Sequence, residues 1–216
     1  MSTKKYFIIS LTVALVDQIA KLLVHYTMDM GEFGEIALLG DWFKLHYTLN
    51  EGMAFGFKLG STYGKLILTS FRWLAMVTIA IYLFKFARKR IHPGFLWLVA
   101  LILGGAIGNV MDSTFYGVWF DNAPLMESEP PLYPWFHGQV VDMIFFDVWH
   151  GSLPDWLPII GGRYYSFWPI FNIADAAIFV GVSGIVLFQN FFFPAQANEE
   201  VTFEQNDIHF DKQIKN

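Results

Sequence analysis

The segment FLWLVALILGGAIGNVM occupies residues 95–111 and carries no charged side chain. Its length approaches the roughly 20 residues that a helix needs to cross a bilayer. Three more apolar stretches of similar character lie at about residues 6–26, 66–84 and 169–193. The sequence therefore predicts a mainly α-helical membrane protein with four transmembrane helices.

The composition of the whole chain agrees with this prediction. Hydrophobic residues make up 55% of the 216 residues and charged residues only 15%, whereas an average soluble domain carries about 25% charged residues. The formal net charge is −5, which gives no electrostatic reason to expect a nucleic acid as partner. Cysteine is absent, so disulfides, thiolate nucleophiles and Cys-ligated metals are excluded.

The distribution of Lys and Arg predicts the orientation of the spans. Lys4 and Lys5 precede the first span, and the short link between the second and third spans is basic, whereas residues 112–168 hold only Arg163. The basic residues of that link are Lys85, Arg88, Lys89 and Arg90. By the positive-inside rule, both termini are predicted to be cytoplasmic and two outer loops, 27–65 and 112–168, to lie on the opposite side.

The first outer loop contains two segments typical of short strands, at residues 35–39 and 42–49, with turn signals at Gly40-Asp41 and Gly52. We therefore predict a small β-containing subdomain on the outer face. The extended second outer loop is rich in Trp, which favours a folded lid at the membrane surface. Residues 1–193 are predicted to form one membrane domain, and residues 194–216 a polar cytoplasmic tail.

Polar side chains within the spans are informative because hydrocarbon penalises them. A helical rise of about 1.5 Å per residue places most of them in the outer third of a bilayer core of about 30 Å. They are Asp17 and Lys21 on the first span, Arg72 on the second, Asn109 and Asp112 on the third, and Asn172 and Asp175 on the fourth. Their common depth predicts one polar site that faces outward.

Structural explanations for some of these residues remain open. Asp17 and Lys21 are four residues apart, so they can neutralise each other on one helix face. Gly104 and Gly108 form a Gly-xxx-Gly pattern, which more often serves helix packing than chemistry. Asn109 can act as an interhelical hydrogen-bond partner, as can Asn172 at the start of the fourth span. The six His residues lack a metal-binding spacing, so no metal site is predicted.

A pair of aspartates is the remaining route to catalysis. Two carboxyl groups that lie close together in a low-dielectric site share one proton. The ionised group can take a proton from an attacking water, while the protonated group polarises an amide carbonyl and later protonates the leaving amine. Such a pair needs no cofactor. Spacing alone leaves Asp112, Asp142 and Asp175 as candidates.

Five short sequence blocks occur in order along the chain, some within the predicted spans and others in the two predicted outer loops. They are VDQIAK at 16–21, NEGMAFG at 50–56, GGAIGNVMD at 104–112, VVDMI at 140–144 and FNIADAAI at 171–178. With these blocks the chain resembles the lipoprotein signal peptidases (signal peptidase II), which are intramembrane aspartyl proteases. The resemblance covers nearly all of residues 1–193.

The resemblance implies an activity and a set of site residues. Asp142 and Asp175 fall on the catalytic aspartates of the family. Positions expected to line or support the site are Asp17, Lys21, Asn50, Gly52, Gly108, Asn109, Asp112, Asn172 and Ala174. The implied substrate is a prolipoprotein whose cysteine carries diacylglyceryl, cleaved on the amino side of that cysteine. The implied location is the bacterial inner membrane, with the site facing outward, membrane lipid as a partner and the chain as a monomer.

Two features depart from the family pattern. The family usually has Arg directly after the Asp of its Gly-Asn-x-x-Asp block, whereas this chain has Ser113. We hypothesise that Arg72 or Arg163 replaces the missing guanidinium. The stretches 113–139 and 147–168 are also longer than in compact members, which predicts extra outer structure over the site.

Two other classes of protein remain as alternatives from the sequence. A small transporter or channel with an outward-facing acidic site would also carry charges in its spans. We would expect it to place those charges near the midplane, often within inverted repeats, and neither feature is apparent. A membrane-assembly protein would explain the Gly-xxx-Gly pattern but would leave Asp175 without a role.

Overall fold

The structure, a computed structural model, describes residues 3–51, 62–89, 91–123, 134–156, 161–162, 164–166 and 169–193. Three of its apolar helices are long enough to cross a membrane. They are α1 (Lys4–Thr27), α2 (Thr62–Ala87) and α3 (Pro93–Met111), and α3 continues through a π-helical turn (Asp112–Tyr116) into a short α4 (Gly117–Trp119). The apolar α5 (Ile173–Leu187) and the short α6 (Gln189–Phe192) complete the helical part.

The predicted mainly helical architecture is confirmed, with two differences in the element boundaries. The third apolar helix does not end near Met111, because the helical backbone runs on to Trp119. The fourth apolar segment begins only at Ile173, where the side chain of Asn172 caps the helix by accepting a hydrogen bond from the Asp175 amide. α5 has 15 residues, so the fourth span and the cytoplasmic location of the termini stay predictions.

α3 is the central helix of the bundle and contacts α1, α2 and α5. Small residues allow these close approaches. A Cβ atom at Gly104 would lie 2.8 Å from the Ser10 carbonyl oxygen of α1, and the Ser10 hydroxyl donates to the Ala100 carbonyl across the same interface at 2.9 Å. Gly105 packs in the same way against the backbone of α5 at Ala174. Helix packing thus explains part of the Gly-xxx-Gly pattern.

Antiparallel strands lie at the end of the bundle where α1 ends. The strands β1 (Ile36–Leu39), β2 (Phe43–Asn50) and β3 (Val140–Phe146) form one sheet in that order. The strands β4 (His150–Ser152) and β5 (Tyr164–Ser166) form a separate pair. The two predicted strands and the turn after Leu39 are confirmed, and Gly40 in that turn has a φ of +52°. The predicted turn residue Gly52 lies outside the described residues.

Two apolar clusters flank a layer of buried polar side chains. One cluster, at the start of α1 and α3 and the end of α2, includes Tyr6, Leu83 and Leu103. The other packs the end of α1 against the sheet and includes Tyr47 and Val141. Between them lie fully buried charged and polar residues. Burial of these side chains strengthens the electrostatic interactions among them.

Candidate active site

The buried polar layer forms where five elements meet. These elements are the C-terminal half of α1, the end of α3, the start of α5 and the facing ends of β2 and β3. The side chains that the sequence predicts at one depth are therefore brought together from distant parts of the chain. Gly52 and Arg163 belong to the residues predicted from the sequence but lie outside the described residues.

Lys21 lies between two carboxylates at the centre of the layer. Its Nζ atom is 2.8 Å from Asp17 Oδ2 and 2.6 Å from Asp112 Oδ2, and all three side chains are fully buried. Gln18 completes the group by donating to Asp112 Oδ1 at 2.8 Å, and the Tyr116 hydroxyl donates to Gln18 Oε1 at 3.0 Å. Burying these charges is costly unless they stay paired, so the cluster depends on all its members.

Asp17 also holds the start of α5 in place. Its Oδ1 atom accepts a hydrogen bond from the Ala174 amide at 2.9 Å, which satisfies one of the backbone donors left free at a helix N-terminus. Gly108 makes room for this contact. A Cβ atom there would lie 2.5 Å from Asp17 Oδ2 and 3.2 Å from the Ala174 Cβ atom.

Asp142 and Asp175 are joined by a single asparagine. Asp142, fully buried in β3, accepts from Asn172 Nδ2 at 2.6 Å and from Asn50 Nδ2 at 2.9 Å. Asp175, partly exposed in the first turn of α5, accepts from Asn109 Nδ2 at 2.7 Å. The Asp175 amide donates to Asn172 Oδ1 at 2.9 Å. Asn172 thus contacts one carboxylate with its amide nitrogen and the backbone of the other with its oxygen.

Asn109 connects the two aspartates with the lysine cluster. Its Oδ1 atom accepts from Lys21 Nζ at 3.2 Å and from Asn172 Nδ2 at 3.4 Å, while its amide nitrogen holds Asp175. The four carboxylates of the layer are therefore connected by one hydrogen-bond network. Two structural interpretations from the sequence agree with these contacts. Asp17 pairs with Lys21 on one helix face, and Asn109 and Asn172 each form hydrogen bonds between elements.

The electrostatic environment of Asp142 differs from that of an ordinary surface carboxyl. Burial raises the pKa of Asp142 to about 7, and the nearby Asp175 carboxylate raises it as well, while the hydrogen bonds from Asn50 and Asn172 lower it. Charge in a desolvated site disfavours a second charge close by. Near neutral pH, the Asp142 carboxyl can therefore either hold or release a proton.

Arg72 of α2 approaches the site at the position where the sequence departs from the family pattern. Its Nη1 atom donates to the Ser113 hydroxyl at 2.5 Å, and that hydroxyl donates to the Asn109 carbonyl oxygen at 2.9 Å. Asp175, Asp112 and Asp142 all lie within electrostatic range of the guanidinium. The small Ser113 side chain thus contacts a guanidinium that belongs to the neighbouring helix α2.

Two contributors to the network were not singled out from the sequence. Gln18 sits inside an apolar span, and its polarity there is a signal that could have been used. Tyr116 lies beyond the predicted end of the third span, so only the observed π-helical continuation brings it to Gln18. Within the described ranges, no three His, Asp or Glu side chains are placed to hold a metal ion. The absence of metal and of cofactor stays a prediction.

Comparisons with known proteins give a consistent result. The family model described as signal peptidase (SPase) II matches residues 9–192. The lipoprotein signal peptidase of Amoebophilus asiaticus (strain 5a2) is 48% identical over 184 residues, which is 85% of this chain and 76% of that protein. The lipoprotein signal peptidase of Porphyromonas gingivalis (strain ATCC 33277) is 43% identical over 175 residues, which is 78% of this chain and 75% of that protein.

A solved structure shares the fold. It is described as a bacterial membrane enzyme determined by the in meso method at 2.3 Å resolution. The TM-score is 0.59 at 21% sequence identity, and the match covers 91% of this chain and 94% of the other. At this identity the likeness concerns the fold alone.

Proposed function

Since the chain belongs to the signal peptidase II family of membrane-embedded aspartic proteases, we propose that Asp142 and Asp175 together activate the water that cleaves a prolipoprotein signal peptide. The cleaved bond is the one on the amino side of the diacylglyceryl-modified cysteine. The observation that carries this proposal is the Asn172 bridge, which ties one carboxylate of β3 to the start of α5 that bears the other. Family membership as an enzyme also decides against the transporter alternative.

The two aspartates take different roles in this proposal because their environments differ. Asp175 is partly exposed and lies in the first turn of α5, where the helix dipole stabilises a negative charge. Asp142 is fully buried, and its pKa is raised to about 7. We therefore assign the ionised form to Asp175 and the shared proton to Asp142 at the start of the reaction.

The chemistry follows from this distribution of one proton. The Asp175 carboxylate takes a proton from water as the water oxygen attacks the amide carbon, and the Asp142 carboxylic acid donates a hydrogen bond to the carbonyl oxygen. The carbon–nitrogen bond of the tetrahedral intermediate then breaks, and the aspartate pair donates one proton to the leaving amine. The products are the free signal peptide and a lipoprotein whose lipidated cysteine has a new amino terminus. The carboxyl pair again shares one proton.

Asp17, Lys21 and Asp112 serve as a scaffold in this account. Asp112 forms an ion pair with Lys21 at 2.6 Å, and this pair would have to break before the Asp112 carboxylate could exchange protons with water. Lys21 also supports Asn109, which in turn holds Asp175. Gly108 and Ala174 allow α3 and α5 to approach the Asp17 carboxylate closely. Of the three candidate acids from the sequence, the contacts thus favour Asp142 and Asp175.

The proposed location is the inner membrane with the site facing outward. A substrate anchored by its diacylglyceryl chains would present its scissile bond near the membrane boundary, at the depth of the polar layer. Membrane lipid is accordingly an expected partner, and the chain is proposed to act as a monomer.

Mass spectrometry of the products tests the proposed reaction. Purified protein is incubated with a diacylglyceryl-modified prolipoprotein and, as a matched control, with the same polypeptide without the lipid. We expect one cut, immediately before the modified cysteine, and no cut in the unlipidated control. Cleavage at another bond, or equal cleavage of both substrates, would contradict the proposal.

A further inference from the structure

A cavity lies at the opposite end of the helix bundle from the aspartates. It has a volume of about 750 Å³ and lies where the start of α1, the link between α2 and α3, and α6 come together. Its walls include Tyr6, Arg88, Lys89, His92 and Phe192. α3 begins at this cavity and reaches the polar layer at Asp112, about 28 Å away at a rise of about 1.5 Å per residue. The cavity is therefore separate from the proposed active site.

Positive charge dominates this end of the molecule. Arg88 and Lys89 line the cavity, and Lys4 and Lys5 stand beside it at the start of α1. The surrounding stretches 1–16, 66–111 and 176–198 contain no Asp or Glu. The N-terminal end of α3, at Pro93, adds the positive end of a helix dipole. Nearby charges thus favour an anion in the cavity.

The Tyr6 hydroxyl provides a second, independent indication of a ligand. Tyr6 lines the cavity and is only 1% exposed, and its hydroxyl has no hydrogen-bond partner among the described residues. Buried hydroxyl groups in folded proteins are nearly always hydrogen-bonded. An anion with several acceptor oxygens would satisfy this donor together with Arg88 and Lys89.

The remaining walls indicate what carries the anion. Leu96, Phe191 and Phe192 give the cavity an apolar side next to its basic rim. His92 belongs to this side, because its ring packs against those of Phe191 and Phe192 at centroid distances of 4.8 and 5.4 Å. A ligand with an anionic head and an apolar body matches both parts. Basic cavities between helices at the cytoplasmic side of membrane proteins bind such lipid headgroups.

We propose that this cavity binds the phosphate headgroup of an anionic phospholipid. Arg88, Lys89 and the Tyr6 hydroxyl would contact the phosphate oxygens, and the aromatic residues of α6 would pack against the glycerol and the upper acyl chains. This site goes beyond the proposed proteolytic function and does not depend on the two aspartates.

Native mass spectrometry with short-chain lipids tests the proposal on the full-length protein in detergent. The probes are phosphatidylglycerol, phosphatidylcholine and inorganic phosphate. We compare the double variant Arg88→Gln/Lys89→Gln with a control, Lys4→Gln/Lys85→Gln, which removes the same charge from the same end but changes no residue that lines the cavity. Tyr6→Phe removes only the hydroxyl group.

We expect phosphatidylglycerol to bind more tightly than phosphatidylcholine. The cavity double variant should lose at least about tenfold in affinity for phosphatidylglycerol, because it removes two charged hydrogen-bond donors to the phosphate. Tyr6→Phe should lose about 3- to 10-fold for one hydrogen bond. The control should stay within about 2-fold of the parent, since neither Lys4 nor Lys85 lines the cavity.

Three results would overturn the proposal. One is an equal loss in the control double variant, which would mean that only the overall charge of this end attracts the lipid. Another is equal binding of phosphatidylcholine and phosphatidylglycerol. The third is binding of inorganic phosphate as tight as that of phosphatidylglycerol, which would assign the cavity to a free anion. Because Asp142→Asn leaves the cavity intact, that variant should bind the lipid normally, so failure here and failure of the proposed proteolysis are distinguishable.

Discussion

At the scale of single residues, Lys21 neutralises two buried carboxylates of the polar layer. It is the cation shared by Asp17 and Asp112 at 2.8 and 2.6 Å. Replacing it with Met of similar length would leave two carboxylates buried without their partner. Removing one partner of a buried ion pair costs about 3–5 kcal/mol.

We therefore expect Lys21→Met to lower the thermal unfolding midpoint strongly in detergent. Lys44→Met is the matched control, because Lys44 pairs with Glu35 and Asp147 on the partly exposed sheet surface, where an ion pair is worth about 1 kcal/mol or less. Equal effects of the two substitutions on the midpoint would contradict the structural role of Lys21.

The pH dependence of cleavage follows from Asp142. The proposed reaction needs one proton on the aspartate pair, and Asp142, whose pKa burial raises to about 7, holds it. Below that pKa the proton is present, and above it the proton is lost. We expect kcat to fall as the pH rises above about 7.

Asn50→Leu should move this decline to higher pH, because the Asn50 hydrogen bond stabilises the ionised form and lowers the pKa of Asp142. Asn190→Leu, on the exposed surface of α6, serves as the control and should leave the profile unchanged. A decline that moves to lower pH in Asn50→Leu would contradict this assignment of the proton.

Gly108 tests how closely α3 must approach the Asp17 carboxylate. A Cβ atom at this position would lie 2.5 Å from Asp17 Oδ2. We expect Gly108→Ala to destabilise the protein by about 1–3 kcal/mol, as overpacking does, and to lower activity by displacing the Asp17–Ala174 contact. Gly184→Ala is the control, because its nearest atoms belong to the flexible end of Leu98. A larger loss of stability in Gly184→Ala would argue against this reading of Gly108.

At the scale of elements, Arg72 and Ser113 join α2 to the π-helical turn after α3. The sequence resemblance implies a guanidinium at the position of Ser113, and the structure brings one from α2 instead. If Arg72 fulfils that role, Arg72→Ala should lower kcat/KM by about 10- to 100-fold, corresponding to about 1.5–3 kcal/mol for a charged hydrogen bond. Adding Ser113→Arg in the same protein should restore most of the activity.

Cleavage assays on the single and double variants check the Arg72 role. Arg163→Ala is included because Arg163 is the other candidate from the sequence. Full activity of Arg72→Ala would remove Arg72 from the site. Loss of activity in Arg163→Ala alone would transfer the role to the second outer loop.

The elements themselves were predictable to different degrees. Apolar runs predicted α1, α2 and α3, because a helix within lipid must satisfy its backbone internally and needs a fixed length. β1 and β2 followed from alternating apolar residues and the turn after Leu39. β3 was not predicted as a strand, although the Val, Ile and Phe residues of its segment 140–146 are typical of one. Only its pairing with β2, about ninety residues away in sequence, could not be inferred locally. The π-helical turn was not predicted either, because such turns are rare and occur as single turns within longer helices.

At the scale of the whole molecule, the orientation of the bundle in the membrane can be measured directly. The chain contains no cysteine, so single cysteines can be introduced without altering a background. Asp155→Cys lies in the second outer loop and Lys4→Cys at the start of α1, and both positions are exposed. We expect a membrane-impermeant maleimide to label Asp155→Cys in intact cells and Lys4→Cys only after permeabilisation. The reverse pattern would contradict the predicted orientation.

The sequence predicted the depth of the site within the membrane but not which of its side chains contact one another. Residues such as Lys21, Asn109 and Asp175 stood out because charge and amide groups are rare in apolar spans. Spacing could not choose among Asp112, Asp142 and Asp175, since the choice depends on which carboxylate faces Lys21 and which are joined by Asn172. Lys21 and Asp112 are 91 positions apart in sequence and Asn172 and Asp142 are 30 apart, so only the packing of the helices against the sheet brings them together.

The central claim, that Asp142 and Asp175 carry out the cleavage, is tested most directly by the cleavage rates of Asp142→Asn and Asp175→Asn. Asparagine keeps the size of each side chain but cannot exchange the proton. With a diacylglyceryl-modified prolipoprotein as substrate, each variant is expected to lose at least about 10²–10⁴-fold in kcat while retaining its fold and its lipid binding. Full turnover by either variant would contradict the account.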